Sequence, residues 1–482
     1  MNRIRSLFQY LGCKDTVVKI FILGLLLRVG MTVYLGERLL PLADQPVFMD
    51  MAENIATGQG LVVSQEMIGI PAAIPDSMRA ELEKRPERIR DQELNALWGV
   101  VKAETPTAFF EPFYPYFLGT IRAVFGKTPG WSIMGLPGEY NYGPRVVVAR
   151  LFQSIFDASV ILILYYLGVA LFTPATGGIA ALIYCFYPYS LAFVTNMVTQ
   201  NTYLFLQALM VFFFVRTLNR QNWRNYLLLG ISAGLTLLTR ISLITFLPFI
   251  IICFWLALRN RVDWGKLAVS LIIMAAVIVP WVIRNNNVMG EPLLLPTKGG
   301  RNLWEYNNQV FTQEKMTGKT IGVAKMYQDF AIKNYPDLKR KDLIEFPVFI
   351  DETEIERDKI MKQRVTDFIK ANPVVYVKLC FFRTYQLFRV IPRHLGGPLA
   401  TLAALGTWGW ILPASLLGLL MSFKYWRRRA VIYAILFYTV GTHALTAAGI
   451  PHRVPTDPYF ILLAAYFLVR ITKADQEIFT EN

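Results

Sequence analysis

Asp44 stands just beyond the first apolar run, in Asp44-Gln45-Pro46-Val47-Phe48, and ahead of Ala52-Glu53-Asn54-Ile55-Ala56-Thr57-Gly58-Gln59-Gly60. A carboxylate at the mouth of a membrane helix is hydrated on one side and faces lipid headgroups on the other. A water-soluble nucleophile can meet a lipid-borne substrate there, and a carboxylate is one of the groups that can take the nucleophile's proton. The competing reading is local: Asp is a favoured N-cap and would start the helix that follows Pro46. Asp50, six residues on, either points near Asp44 or faces water. Arg240 interrupts the apolar run 225–258. Arginine is disfavoured in turns on the outer face, so a functional cation is preferred to a plain turn charge. Arg28 lies inside the first apolar run, where an ionisable group is by default a functional hypothesis, although snorkelling or pairing with the helix backbone is the alternative. Arg150, near the outer end of the second run, reads as structural.

The elements that hold these residues follow from composition. Apolar residues make up 54% of 482 residues, aromatics 14% and charged residues 17%, with a mean hydropathy of +0.38. A soluble chain of this size carries more charge. Runs near 20 residues long, each able to cross a bilayer core, occupy 17–36, 146–171, 178–196, 202–218, 225–239, 241–258, 266–283, 399–423, 430–447 and 457–471. The expectation is an all-α polytopic membrane protein with about ten spans, Arg240 dividing two of them.

Charge orients the chain. Arg3/Arg5/Lys14/Lys19, Arg216/Arg220/Arg224, Arg259/Arg261/Lys266 and Lys424/Arg427/Arg428/Arg429 fall on one side if there are ten spans. The positive-inside rule makes that side cytoplasmic, together with both termini. The net charge of +15 is then mostly a topology signal. The basic residues are dispersed, not gathered on a face that would suit nucleic acid. The first run is too long, and lacks the small-x-small site, for a cleaved signal peptide. Cys13, Cys185, Cys253 and Cys380 sit in different segments and form no disulfide framework or CxxC pair. With only three histidines, His394, His443 and His452, a histidine-rich metal site is not expected; a divalent ion bound by Glu111 and His452 lacks enough ligands, and no cofactor is implied.

Three regions result: 1–283, with spans and a long outer loop at 37–145; an outer loop region at 284–398; and 399–482, with the last spans and a short tail. Within the first loop, 48–57 and 113–125 read as helices lying in the interface, and 76–104 as a charged, solvated helical insertion. In the second loop, 352–392 reads as helical with a stop at Asn372-Pro373.

Ordered blocks along residues 15–472 give the chain a family resemblance. They are Asp44 with Phe48, Glu111-Pro112-Phe113-Tyr114-Pro115, Ala149-Arg150-Leu151, Leu238-Thr239-Arg240, Pro280-Trp281-Val282-Ile283-Arg284-Asn285, Asn302-Leu303-Trp304 with Asn307-Asn308, and His452-Arg453-Val454-Pro455-Thr456-Asp457-Pro458. The chain resembles the GT-C glycosyltransferases of the protein-mannosyltransferase and lipid A aminoarabinose-transferase group. The resemblance implies transfer of a sugar from a polyprenyl-phosphate carrier to a glycan, lipid or protein acceptor at the outer face of a membrane, a bacterial inner membrane being the expected one, and by an inverting route. It implies Asp44 as catalytic base, Glu111 as a second acidic residue beside the other interfacial helix, and Arg240 as a cation for the departing lipid phosphate. Arg453 falls where the family places another such cation, while Lys298, Arg301 and Arg284 are candidates of the second loop and Asp50 a candidate beside Asp44. Departures exist. Gln200 replaces an acidic residue common at the opening of the fourth span, Phe48 replaces a tyrosine, and Pro112 replaces the basic residue that follows the glutamate in aminoarabinose transferases. Two other functions share this topology: a flippase of lipid-linked sugars, and a ligase of whole oligosaccharides. The flippase is disfavoured because no internal repeat is visible and the charged candidates gather at the interface.

Overall fold

The computed structural model describes residues 2–40, 44–64, 105–130, 132, 141–308, 353–391 and 398–472. The charged insertion expected at 76–104 lies outside them, as does His394. The described chain is helical, and its only β pairing is two isolated bridges, Val62–Pro106 and Lys127–Pro144. The chain is an integral membrane protein. Among the described residues, seven helical stretches are long and apolar enough to cross a bilayer, or eight if the bent pair Pro174–Cys185 and Pro188–Val194 is one span. The expected count of ten is not reached, for two reasons of length. Trp223–Thr239 is only 17 residues long, and the runs 399–423 and 430–447 fall within one apolar stretch, Thr401–Leu445.

Arg240 does divide its segment. Its backbone is extended (φ −150°, ψ 88°) between Trp223–Thr239 and a 3-10 turn, Ile241–Phe246, that leads into the helix Leu247–Leu258. The expected interfacial helices form as Gln45–Ala56 and Phe113–Phe125. Pro112 and Pro115 open the second with fixed φ, and Gly126, at φ 80°, ends it where a residue with a Cβ is strained. The two helices pack together closely, because a Cβ on Gly119 would come within 2.6 Å of the Ile55 side chain. Phe48 is sealed between them, 4.7 Å from the Phe110 ring and edge-on to Tyr114 at 5.1 Å.

Charges buried among the spans are paired. Arg28, on Lys14–Leu35, is completely buried and ion-paired with Asp157, on Val146–Leu171 (Nε to Oδ2, 2.5 Å). Arg28 Nη2 also donates to Ser190 Oγ at 3.0 Å, while Tyr184 OH and Asn201 Nδ2 donate to Asp157 Oδ1 at 2.8 and 3.0 Å. One ion pair thus joins four spans, and the snorkelling reading of Arg28 is replaced by a complete internal network. Arg150 is structural, as expected. It donates to the backbone carbonyls of Thr195, Gly36 and Arg38 and so fixes the outer end of the first span.

The first outer loop is clipped where it leaves and re-enters the described fold. Thr107 N donates to Leu61 O at 3.0 Å beside the Val62–Pro106 bridge, and Arg284 donates to both Leu61 O (3.1 Å) and Thr107 O (2.7 Å). Arg284 is therefore a brace between the Trp264–Met289 helix and the loop.

The Arg28–Asp157 pair supplies a stability test. Asp157→Leu strands a guanidinium in the bundle and should cost about 3–5 kcal/mol, while Arg28→Met combined with Asp157→Leu should recover much of that loss. Thermal unfolding in detergent measures both; an unchanged single variant would show that the pair does not hold the bundle.

Candidate active site

Asp44 occupies the N-cap position of Gln45–Ala56, but its own backbone is helical (φ −82°, ψ −14°) and its side chain makes no capping hydrogen bond. The capping alternative is not used. The carboxylate, 51% exposed, points instead to Lys298, whose Nζ donates to Asp44 Oδ2 at 3.4 Å. Lys298 Nζ also lies 4.1 Å above the Phe110 ring, and Arg301, one turn along the Lys298–Tyr306 helix, lies over Phe109 at 5.9 Å. The two aromatic rings of the first loop carry the two cations of the second.

What places Lys298 there is a carboxylate that the sequence reading did not single out. Glu354 begins the helix Glu354–Ala371, which Thr353 and Glu356 open with a reciprocal capping box. Its side chain accepts from Thr107 Oγ1 at 2.8 Å, from Ala108 N at 3.0 Å and from Thr297 Oγ1. Thr297 N in turn donates to Ala108 O at 3.1 Å. One buried acid therefore locks both outer loops together next to Lys298. Burial pushes the Glu354 carboxyl up, against the downward pull of these hydrogen bonds and of Arg284. Thr353-x-x-Glu356 is readable as a helix start, but nothing local shows that Glu354 turns inwards.

Glu111 lies at the entrance to Phe113–Phe125. Burial pushes its carboxyl above the ordinary range, while Lys298, Arg240 and the backbone amide of Ile241 pull the other way. Arg240 projects from its extended backbone with Cζ 5.0 Å from the Tyr203 ring centroid. Lys298 is thus the shared neighbour of Asp44 and Glu111, and Arg240 also lies within electrostatic reach of Glu111. The result is a cluster of two carboxylates and two cations. His443 and His452 stack nearby, ring centroids 4.7 Å apart, within electrostatic reach of Arg240. From Pro112 a groove of about 500 Å³ runs along Phe113, Tyr116, Phe117 and Ile121 to Phe152 and Leu238, two residues before Arg240. Its walls are apolar, and Phe125 and Phe152 at its edge are exposed.

The remaining candidates sit elsewhere. Asp50 does not face water: it is 4% exposed, and its Oδ2 accepts from Ser64 N at 2.6 Å. It holds the turn after Gln45–Ala56. Arg453 is drawn inwards, not presented in the last loop. It pairs with Asp457 (2.9 Å), lies 3.6 Å from the Trp408 ring centroid and donates to Leu387 O and Arg389 O. Trp408 and those carbonyls draw in a cation that a loop position alone would leave in water. Among the described residues no three His, Cys, Asp or Glu side chains come together to hold a metal.

A family model for dolichyl-phosphate-mannose-protein mannosyltransferases matches residues 142–283. No curated protein sequence matches significantly. Among solved structures, the oligosaccharyltransferase of Archaeoglobus fulgidus tethered to an acceptor peptide superposes with a TM-score of 0.51 at 14% identity, covering 96% of this chain and 50% of that one. Its form named AglB, in complex with an inhibitory peptide and a dolichol-phosphate, gives a TM-score of 0.50 at 13% identity over 97% and 52%. ArnT from Cupriavidus metallidurans bound to undecaprenyl phosphate gives 0.40 at 11% identity over 95% and 79%. The chain spans about half the length of the archaeal enzyme. The described chain thus shares the helical fold of that enzyme, and its residues 142–283 are similar to the mannosyltransferase family.

Proposed function

We propose that the protein is a glycosyltransferase that moves a sugar from a polyprenyl-phosphate carrier to an acceptor hydroxyl or amide on the outer face of the membrane. The observation that carries this reading is the cluster of Asp44, Lys298, Glu111 and Arg240 beside an apolar groove. A polyprenyl chain suits the groove, and the two cations suit a phosphate at its end. The dolichol-phosphate bound by the archaeal oligosaccharyltransferase and the mannosyltransferase match of residues 142–283 support the same donor class.

In the reaction, the acceptor's heteroatom attacks the anomeric carbon, the bond from that carbon to the phosphate oxygen breaks, and the lipid phosphate leaves with the electron pair. The acceptor's proton goes to Asp44, which is exposed on the acceptor side. Arg240 and Lys298 stabilise the charge that develops on the leaving phosphate. Glu111 positions those two cations.

Asp44→Asn keeps the shape but cannot accept the proton. Turnover should fall about 10²–10⁴-fold, roughly 3–5 kcal/mol of barrier, with donor binding retained. Asp50→Asn should instead lower the melting temperature and leave most of the turnover. Purified protein in detergent is the right assay, since transfer needs no second compartment and transport does. Near-normal turnover in Asp44→Asn would remove the base.

Arg240→Ala should weaken binding of the lipid phosphate by about 2–4 kcal/mol with the fold intact. Equal donor affinity in variant and wild type would reject the assignment.

The raised Glu111 carboxyl sets a pH dependence. Burial favours its protonated form, so it gains its proton above the ordinary carboxylate range as pH falls. Losing that charge releases Lys298 and Arg240, so kcat/KM should drop on the acid side. Glu111→Gln, neutral at every pH, should lower the plateau and remove this step from the acid limb. An acid limb identical in the variant would show that Glu111 does not set it.

A further inference from the structure

Beside Arg240 lies a set of buried polar atoms with no partner among the described residues. Gln200, Tyr203 and Gln207 stand at i, i+3 and i+7 on Thr199–Asn219 and so share one face of that helix. The helix packs against Val454–Thr456 in the last loop. Gln207 Nε2 donates to Tyr203 OH at 2.9 Å, while Gln207 Oε1 is buried and unpartnered. Assigning the amide the other way round only moves the unpartnered atom to nitrogen, so one end of Gln207 stays open. Gln200 Oε1, His452 Nδ1 and Tyr459 OH are buried and unpartnered as well. Tyr459 lies within electrostatic reach of Tyr203, and His452 of Arg240 and Lys298. Buried polar groups are normally satisfied, and this many around one cation require a hydrogen-bonding occupant.

We propose that Gln200, Gln207, His452 and Tyr459 form the wall of a slot for the donor's sugar, and that the sugar is an uncharged, hydroxyl-rich one. The proposal rests on the transferase reading. The open atoms belong to amides, a phenol and an imidazole, which exchange hydrogen bonds with hydroxyls. The neighbouring charges are the cations Arg240 and Lys298; Glu111 lies in the field of both, and Asp44 faces Lys298. Glu111, the carboxylate within reach of Tyr203, is already faced by both cations, so an ammonium group would meet Arg240 and Lys298 beside it. A site lined for hydroxyls rejects a ligand that leaves its polar atoms unpaired.

The test compares binding of four lipids to the full chain in detergent: undecaprenyl phosphate, its glucosyl and mannosyl phosphodiesters, and its 4-amino-4-deoxyarabinosyl phosphodiester. Wild type should prefer a neutral-sugar lipid over the bare phosphate and bind the amino-sugar lipid no more tightly than the bare one. Gln207→Leu and Tyr459→Phe should each reduce the neutral-sugar preference about tenfold and leave the bare lipid's affinity unchanged, which also shows that the variants fold. Arg240→Ala should weaken binding of all four lipids together. Variants that lose bare and glycosylated lipids equally, or a wild type that prefers the amino sugar, would overturn the slot. A wild type that binds none of the lipids, bare phosphate included, would overturn the transferase reading and the slot with it.

Discussion

Hydrocarbon offers an ion no solvent, so a charge inside a bundle of spans must bring its own partners or neutralise. Arg28 and Asp157 meet that requirement with each other and with Tyr184, Ser190 and Asn201. The rest of the fold is arranged on the register they set. Shifting any of the four joined spans by one turn would separate a guanidinium from a carboxylate where no water can replace either. The outer ends of those spans are consequently fixed, and Arg150 transmits that fixity to the first outer loop through Gly36 and Arg38. Tyr114 continues it, donating to Gln153 at 2.8 Å and joining the second interfacial helix to the same span. A buried pair of this kind adds little net stability relative to apolar packing, and its value lies in permitting a single arrangement.

The site depends on that arrangement because its members come from distant parts of the chain. Asp44 follows the first span, Glu111 precedes the second interfacial helix, Arg240 breaks a span and Lys298 starts a loop helix. Only rigid supports can hold four such groups together. The mixture of signs keeps Lys298 close to Asp44 and within reach of Glu111 while no anionic ligand is bound. An arriving phosphate then competes with carboxylates already present, not with bulk water alone.

Local signals were legible. Phe113–Phe125 and Val146–Leu171 have the boundaries expected from proline, glycine and apolar length. So was Arg240 as a divider, since an arginine amid apolar residues needs a break. Asp44 was recognisable by its place after a span, but its relation to Lys298, 254 positions away, was not. Distance along the chain also hid Glu354 and the Ser64 amide that captures Asp50. Arg453 is the instructive case. Its partner Asp457 stands four residues on, a spacing visible in the sequence, yet the burial comes from Trp408 and from carbonyls at 387 and 389. The count of about ten spans is not confirmed, because apolar length does not report where a helix bends or stops short.

The clip between Leu61 and Thr107 has a topological consequence. Since the bridge at Val62–Pro106 and the arms of Arg284 close the chain at that point, the segment between them is attached like a bead on a closed ring. The entropy of closing such a ring grows only logarithmically with its length. A change in the length of the joined segment therefore adds little to the closure term, and the clip at Leu61 and Thr107 keeps its two ends in register with the Trp264–Met289 helix.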